Sequence, residues 1–285
     1  MATLRRPIVA GMFYEGTAEA LKDQIESCFL HSFGPQKLPK VNYHGPRDIL
    51  GMICPHAGYV YSGPVAANAF FELALDGKPE TVVVLGPNHT GMGSGLSIMN
   101  EGVWRTPLGD VKIDSAVAND IIKESSILDV DVSAHLKEHS IEVQLPFLQY
   151  LYGNKFGLVP ICFLMQDSDS AREVGRALTE ALDGRNAVVI ASSDFTHYEP
   201  QANVDRKDTA AIKAIENLDE NQLYAAIESQ NISACGYGPI AALITYAKGN
   251  SATHVKLLTH KTSGDIMGDK SSVVGYAALT TKKPT

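Results

Sequence analysis

Three stretches of the chain follow one layout: a short apolar run that ends in residues able to bind metal or move protons. Ile49-Leu50-Gly51-Met52-Ile53 leads into Cys54-Pro55-His56-Ala57-Gly58-Tyr59-Val60-Tyr61-Ser62-Gly63. Thr81-Val82-Val83-Val84-Leu85-Gly86 leads into Pro87-Asn88-His89-Thr90-Gly91. Asn186 to Ser192 leads into Ser193-Asp194-Phe195-Thr196-His197-Tyr198. Two or three imidazoles with a carboxylate or thiolate hold iron, copper or zinc. His56, His89, Asp194 and His197 are therefore candidate ligands or proton carriers. Cys235, in the glycine-rich run Cys235-Gly236-Tyr237-Gly238-Pro239, is positioned to join them.

Taken singly, each residue has a plainer role. His56 and His89 fit turns, Asp194 fits a helix N-cap, and Cys235 fits a small buried apolar site. The weight lies in their shared position at strand ends. His139 and Glu142 are three apart in Glu138-His139-Ser140-Ile141-Glu142. On a helix they share a face, so His139 reads as an acid/base or site-lining group that Glu142 orients. Tyr59, Tyr61, Tyr198 and Tyr237 are candidate pocket walls, with core packing the expected role for at least two of them.

These loops need a frame. The runs at 48–54, 81–86, 157–163 and 186–192 are apolar on both faces, as strands buried in a parallel sheet are. Helical patterns separate them: 18–31, with Thr17 as its cap, 64–76, 115–124 behind Asp114, 170–182, 204–216, 219–228 and 239–248. Residues 7–14 read as a short strand or extended arm, 34–47 as a surface loop, 96–99 as a strand and 104–110 as a turn. Pro146 kinks or restarts a helix, and two strands, 254–262 and 271–280, close the chain. This alternation gives one α/β domain with a mostly parallel sheet covered by helices on both faces. If the strands before His56, His89 and Asp194 are neighbours, their loops meet at the carboxyl edge, where open α/β sheets keep their sites.

The bulk properties narrow the function. The 285 residues are 45% hydrophobic and 20% charged, ordinary for a globular protein. A net charge of −8 disfavours nucleic acid and anionic membrane as partners. No apolar run is long enough for a membrane span. The four cysteines, 28, 54, 162 and 235, form no CxxC pair, which fits reduced thiols in a cytoplasmic protein. Neither GxxxxGK[ST] nor GxSxG occurs.

Six ordered motifs carry a resemblance. Pro55-His56-Ala57-Gly58-Tyr59, Leu85-Gly86-Pro87-Asn88-His89, Trp104-Arg105-Thr106-Pro107-Leu108, Glu138-His139-Ser140-Ile141-Glu142, Ser192-Ser193-Asp194-Phe195-Thr196-His197 and Cys235-Gly236 span nearly the whole sequence. The chain resembles the Memo family, found from archaea to humans and named for mediating receptor-driven cell motility in animals. The resemblance implies a fold related to the class III extradiol dioxygenases, which are non-haem iron enzymes. It implies a metal site of His56, His89 and Cys235, with Asp194, His197 and His139 as catalytic groups around it. In the dioxygenases two histidines and a glutamate hold the iron. Cys235 in place of the carboxylate is softer and favours copper or another redox metal. Animal members are linked to reduced-metal binding, oxidant generation and phosphopeptide or receptor-adaptor partners.

Three functions are compatible with these residues. The first is an iron- or copper-dependent oxidoreductase acting on dioxygen or a small organic molecule. The second is a non-catalytic protein whose pocket binds a peptide or a metal. The third is metal-assisted hydrolysis.

Overall fold

Residues 3–45 and 47–284 are described by a computed structural model of the chain. Four strands form its centre: β2 (Ile49–Cys54), β3 (Thr81–Pro87), β8 (Gly157–Phe163) and β9 (Ala187–Ser192). They run parallel in the order β2-β9-β3-β8. Thus β9 lies between β2 and β3, and the strands that precede His56, Asp194 and His89 are direct neighbours.

The flanks are antiparallel, so the sheet is mixed rather than parallel throughout. On one side β12 (Val273–Lys282) pairs antiparallel with β2, and β10 (His197–Glu199) and β11 (Val255–Thr262) both pair with β12. On the other, β4 (Leu96–Ile98) runs antiparallel to β8 and carries the short β7 (Asp129–Val130). Among these flanking strands only β11 and β12 are consecutive and joined by a hairpin-like connection, which antiparallel pairing permits.

Neighbouring residues of the central strands feed two cores. Val83, Leu85, Val189 and Ala191 join one, with Val174 and Leu178 of α5 (Ser168–Ala181) and Ile240 and Leu243 of α8 (Tyr237–Gly249). Val82, Val84, Val188 and Ile190 join the other. There they meet Phe29 of α1 (Ala18–Leu30), Phe70 of α2 (Tyr59–Asp76) and Phe147 of α4 (Leu145–Tyr152). The first face also carries α3 (Ser115–Glu124), α6 (Gln201–Glu216) and α7 (Glu220–Gln230). This is the expected α/β architecture with helices over both faces of the sheet.

Several local readings change. Residues 104–110 are the tip of a hairpin, β5 (Val103–Thr106) with β6 (Gly109–Lys112), which joins β1 (Leu4–Arg5) in a small separate sheet. Trp104 is fully buried there, which a free turn would not achieve. The strand at the amino end is Leu4–Arg5; residues 7–14 form a turn-bearing arm with an Ala10–Tyr14 bridge. Helix α2 starts at Tyr59, five residues before Pro64. Proline marks a first helical turn most often, but here the bond it forfeits would have gone to the carbonyl of Val60, an exposed residue near the helix start. Pro146 sits in the first turn of α4 and restarts the helix after a 3-10 turn at Glu142–Gln144. The loop between β11 and β12 contains a short helix, α9 (Ser263–Met267), with Thr262 and Asp265 in a capping box. Asp114 caps α3 through the Val117 amide as its position suggested.

Candidate metal centre

His56 sits two residues beyond β2 and is buried. Its amide donates to Asp194 Oδ1 at 2.8 Å, which ties the β2 and β9 loops together. Its Nδ1 lies 2.9 Å from Ser192 Oγ, at the end of β9. The hydrogens around that hydroxyl are forced. Ser192 Oγ donates to the Ser140 carbonyl at 2.7 Å and accepts from Gln144 Nε2 at 2.8 Å. Gln144 Nε2 also donates to the Pro55 carbonyl, so the amide orientation is fixed. With its one proton committed, Ser192 can only accept from His56. Nδ1 therefore carries the ring proton, and Nε2 keeps a lone pair. Burial, and then the neighbouring imidazoles of His139, His89 and His197, hold the His56 pKa well below its usual value, so the ring is neutral.

His89 stands at the mouth of the β3 loop. Its amide and Nδ1 both meet the carboxylate of Glu138, at 2.5 and 2.9 Å. Glu138 is fully buried and also accepts from the amides of His139 and Ser140 at 2.8 Å. A carboxylate with that many donors stays ionised, and its pKa falls to about 2 against the cost of burial. Burial also works against charge on His89, yet the Glu138 hydrogen bond and charge outweigh it and raise its pKa. The Glu138-His89 pair has the form of a carboxylate that orients a metal-binding imidazole through Nδ1 and leaves Nε2 free.

His139 completes the group. One nitrogen from each of His56, His89 and His139 lies within 4.8 Å of the others. The His89 and His139 rings stack with centroids 4.8 Å apart, and Phe13 lies edge-on to His139 at 5.0 Å. His139 is in a loop, not on a helix, and Glu142 does not orient it. The Glu142 carboxylate turns away, to the Arg5 guanidinium, the amides of Ile8 and Val9, and the Tyr14 hydroxyl. The helical spacing suggested a shared face, but the chain reaches a 3-10 turn only at Glu142. The neighbour of His139 Nδ1 is Glu138, at 3.4 Å. Burial is the main cause of a lowered His139 pKa.

The remaining candidates line the same cleft, of about 750 Å³. Cys235 Sγ lies 3.2 Å from His56 Nε2 and accepts the Asp194 amide at 3.2 Å, just before α8 begins. It stands beside His56, outside the three-histidine group. Burial raises the thiol pKa well above its usual value and that of Asp194 as well. Asp194 caps no helix; it holds the His56 amide. His197 Nδ1 is 2.9 Å from the Ser233 carbonyl, which makes it the protonated nitrogen. Tyr61 and Tyr198 line the cleft. Tyr59 is core, with its hydroxyl on the Val143 carbonyl, and Tyr237 packs edge-on to Tyr224. Cys54 is buried in the second core.

Sequence reasoning missed the orienting groups Glu138, Ser192, Gln144 and Ser233. Glu138 had a signal, its place beside His139. The others depend on contacts between distant segments and left none.

The fold and site together define an α/β protein with a histidine cluster, able to bind a metal, at the carboxyl edge of its central sheet. The chain belongs to the Memo family. The Memo-like protein family model matches residues 5–280. A MEMO1 family protein of Methanopyrus kandleri is 51% identical over 277 residues, covering 96% of this chain and 98% of its own length. Another, of Methanocaldococcus jannaschii, is 50% identical over 287 residues, covering 98% and 99%. A crystal structure of an uncharacterized protein from Escherichia coli K12 superposes with a TM-score of 0.58 at 15% identity, covering 81% of this chain and 99% of that one. That likeness concerns the fold alone, and the architecture is consistent with an extradiol dioxygenase-like fold. Among the described residues no helix is long and apolar enough to cross a membrane.

Proposed function

We propose that the protein is a metal-dependent oxidoreductase that uses iron or copper on dioxygen or a small organic molecule. The observation that carries this reading is the convergence of His56, His89 and His139 nitrogens within 4.8 Å of one another. The donor set fits such a metal. Imidazole suits iron and copper, and the Nε2 lone pairs of His56 and His89 are presented by fixed hydrogen bonds on their Nδ1 atoms. His56, His89 and His139 would hold the ion, with Cys235 as a further soft donor on the His56 side. The bound ion would supply one-electron chemistry and Lewis acidity.

The chain supplies the rest. Glu138 holds the His89 ring and the His139 backbone in place. Ser192 holds His56 in one tautomer. His197, with its Nδ1 on Ser233, offers Nε2 to the cleft as a proton acceptor, and Asp194 lies across from it. Phe13, Tyr61 and Tyr276 give the cleft an aromatic wall.

The test is elemental analysis of anaerobically purified protein, followed by oxygen uptake with a reductant. Stoichiometric iron or copper is expected in the wild type, and at least a tenfold loss of it in His56→Ala and His89→Ala, with the far-ultraviolet circular dichroism of the fold retained because both residues sit beyond the strands. A folded wild-type protein that takes up neither metal overturns the reading and favours a pocket that binds an organic ligand without chemistry. Zinc with ester hydrolysis would favour the hydrolase.

A further inference from the structure

The mouth of the cleft holds a residue in an unfavourable backbone conformation. Tyr198 has φ +59°, in the left-handed region that bulky side chains avoid. It is the extra residue of a β-bulge: His197 pairs with Val274 and Glu199 with Val273, so Tyr198 has no partner on β12. Glycine fills that kind of bulge most cheaply, and bulges beside functional sites serve to re-aim a side chain. Two other non-glycine residues with positive φ have local compensation, while Gln36 and Ser251 are exposed like Tyr198 but lie away from the cleft. Leu218 is buried in the first core, and Asn231 caps α7. Tyr198 has neither, since it is 77% exposed. Its conformation brings nothing to the core, and its ring stands at the cleft mouth beside His197.

The residues facing it share one character. Met12, Phe13, Tyr61, Val274 and Tyr276 complete the mouth, above a floor of histidines. Met12 is 73% exposed and Tyr61 41%. Three tyrosines, Tyr61, Tyr198 and Tyr276, thus line an opening whose rim also carries the exposed Ser272, while the buried His56 and Asp194 lie deeper. The geometry points to Tyr198 as a specificity-determining residue that, with Tyr61, grips the flat apolar body of a small-molecule ligand whose polar end reaches the histidines. This rests on the reading of the cleft as the substrate site and adds the class of substrate. Aromatic walls favour flat apolar groups by offset stacking and area burial.

The test uses 8-anilinonaphthalene-1-sulfonate, a flat apolar probe with one polar end, titrated by fluorescence into the metal-free full-length protein. Saturable binding by the wild type is expected, weakened at least fivefold in Tyr198→Ala, Tyr198→Gly and Tyr61→Ala, and kept in Tyr198→Phe. Tyr43→Ala, at a different exposed tyrosine, should bind as the wild type does. Tyr198→Gly should also unfold at an equal or higher temperature, because it relieves the left-handed backbone, and should bind iron or copper as the wild type does. Absence of saturable binding, undiminished binding in the Tyr198 variants, or a Tyr198→Gly protein that melts lower or loses metal uptake would each overturn the proposal. A wild type that takes up no metal but keeps Tyr198-dependent probe binding would sink the oxidoreductase reading alone.

Discussion

The hydroxyl of Ser192 decides which nitrogen of His56 can bind a metal, because its own proton is committed to the Ser140 carbonyl. Ser192→Ala should leave the fold intact and lower iron or copper affinity by about 10–100-fold, the range for groups that orient ligands; equilibrium dialysis measures it. Glu138 acts on the other side of the site. Its pKa is depressed from 4.5 to about 2, so its stabilisation is complete above pH 4.5 and disappears as the pH falls toward 2. His89 is shifted the opposite way, so its contribution is complete below its usual 6.5 and is lost as the pH rises through its higher folded value. The pair is therefore strongest between about pH 4.5 and 6.5. Urea unfolding of metal-free protein should show about 2–3 kcal/mol less stability at pH 2 than at pH 4.5 from this carboxylate, and Glu138→Gln should flatten that slope. His56, His89 and His197 were legible as residues because each lies in a loop that follows an apolar run. The spacing gave the orienting role to Glu142, but the structure gives it to Glu138, since the distinction depends on which way a loop turns between residues 138 and 142.

Among the elements, the arm before α1 does the most that its sequence does not announce. Arg5 reaches under the His139 loop, with Nε on the His135 carbonyl at 3.1 Å and Nη2 on the Glu138 carbonyl at 2.5 Å. Glu142 binds Arg5 in return and gathers the amides of Ile8 and Val9, while the Phe13 carbonyl receives the Tyr59 amide at the start of α2. The arm is thus one wall of the cleft and a strut beneath it. Tyr14→Phe removes a single hydrogen bond to the carboxylate, 2.6 Å long, and should cost about 1.5–3 kcal/mol. Glu142→Gln leaves the Arg5 guanidinium buried without its counter-charge and should cost about 3–5 kcal/mol. Denaturant midpoints separate the two, and equal losses would contradict the strut. Helices and central strands were readable because their apolar patterns are carried within each segment, whatever the distance to its partners. Residues 7–14 were readable as an arm, but its role was not, because the partners Glu138 and Glu142 lie more than 120 residues from Arg5, Ile8 and Tyr14.

Over the whole molecule, the two cores lie on opposite faces of one sheet and share its central strands. Trp104, the sole tryptophan, is buried in the second core. Its fluorescence and the far-ultraviolet circular dichroism should report the same urea midpoint, since neither face can open without exposing the strands of the other; separated midpoints would show two independent units. The parallel centre was legible in the doubly apolar strands. At the margins β4, β11 and β12 were legible as strands but not their antiparallel direction, and β7 and β10, two and three residues long, carry too weak a pattern to read. The strand order also governs how the protein can be made. β2 ends at Cys54, yet its two neighbours are β9, from Ala187, and β12, from Val273. During synthesis an apolar strand therefore leaves the ribosome more than 130 residues before its first partner, and more than 200 before its second. Such distant pairings close slowly and leave sticky edges open meanwhile. The metal centre, which needs the loops after β2, β3 and β9 together, is thus a late product of folding, and any ion must arrive after most of the chain has been translated.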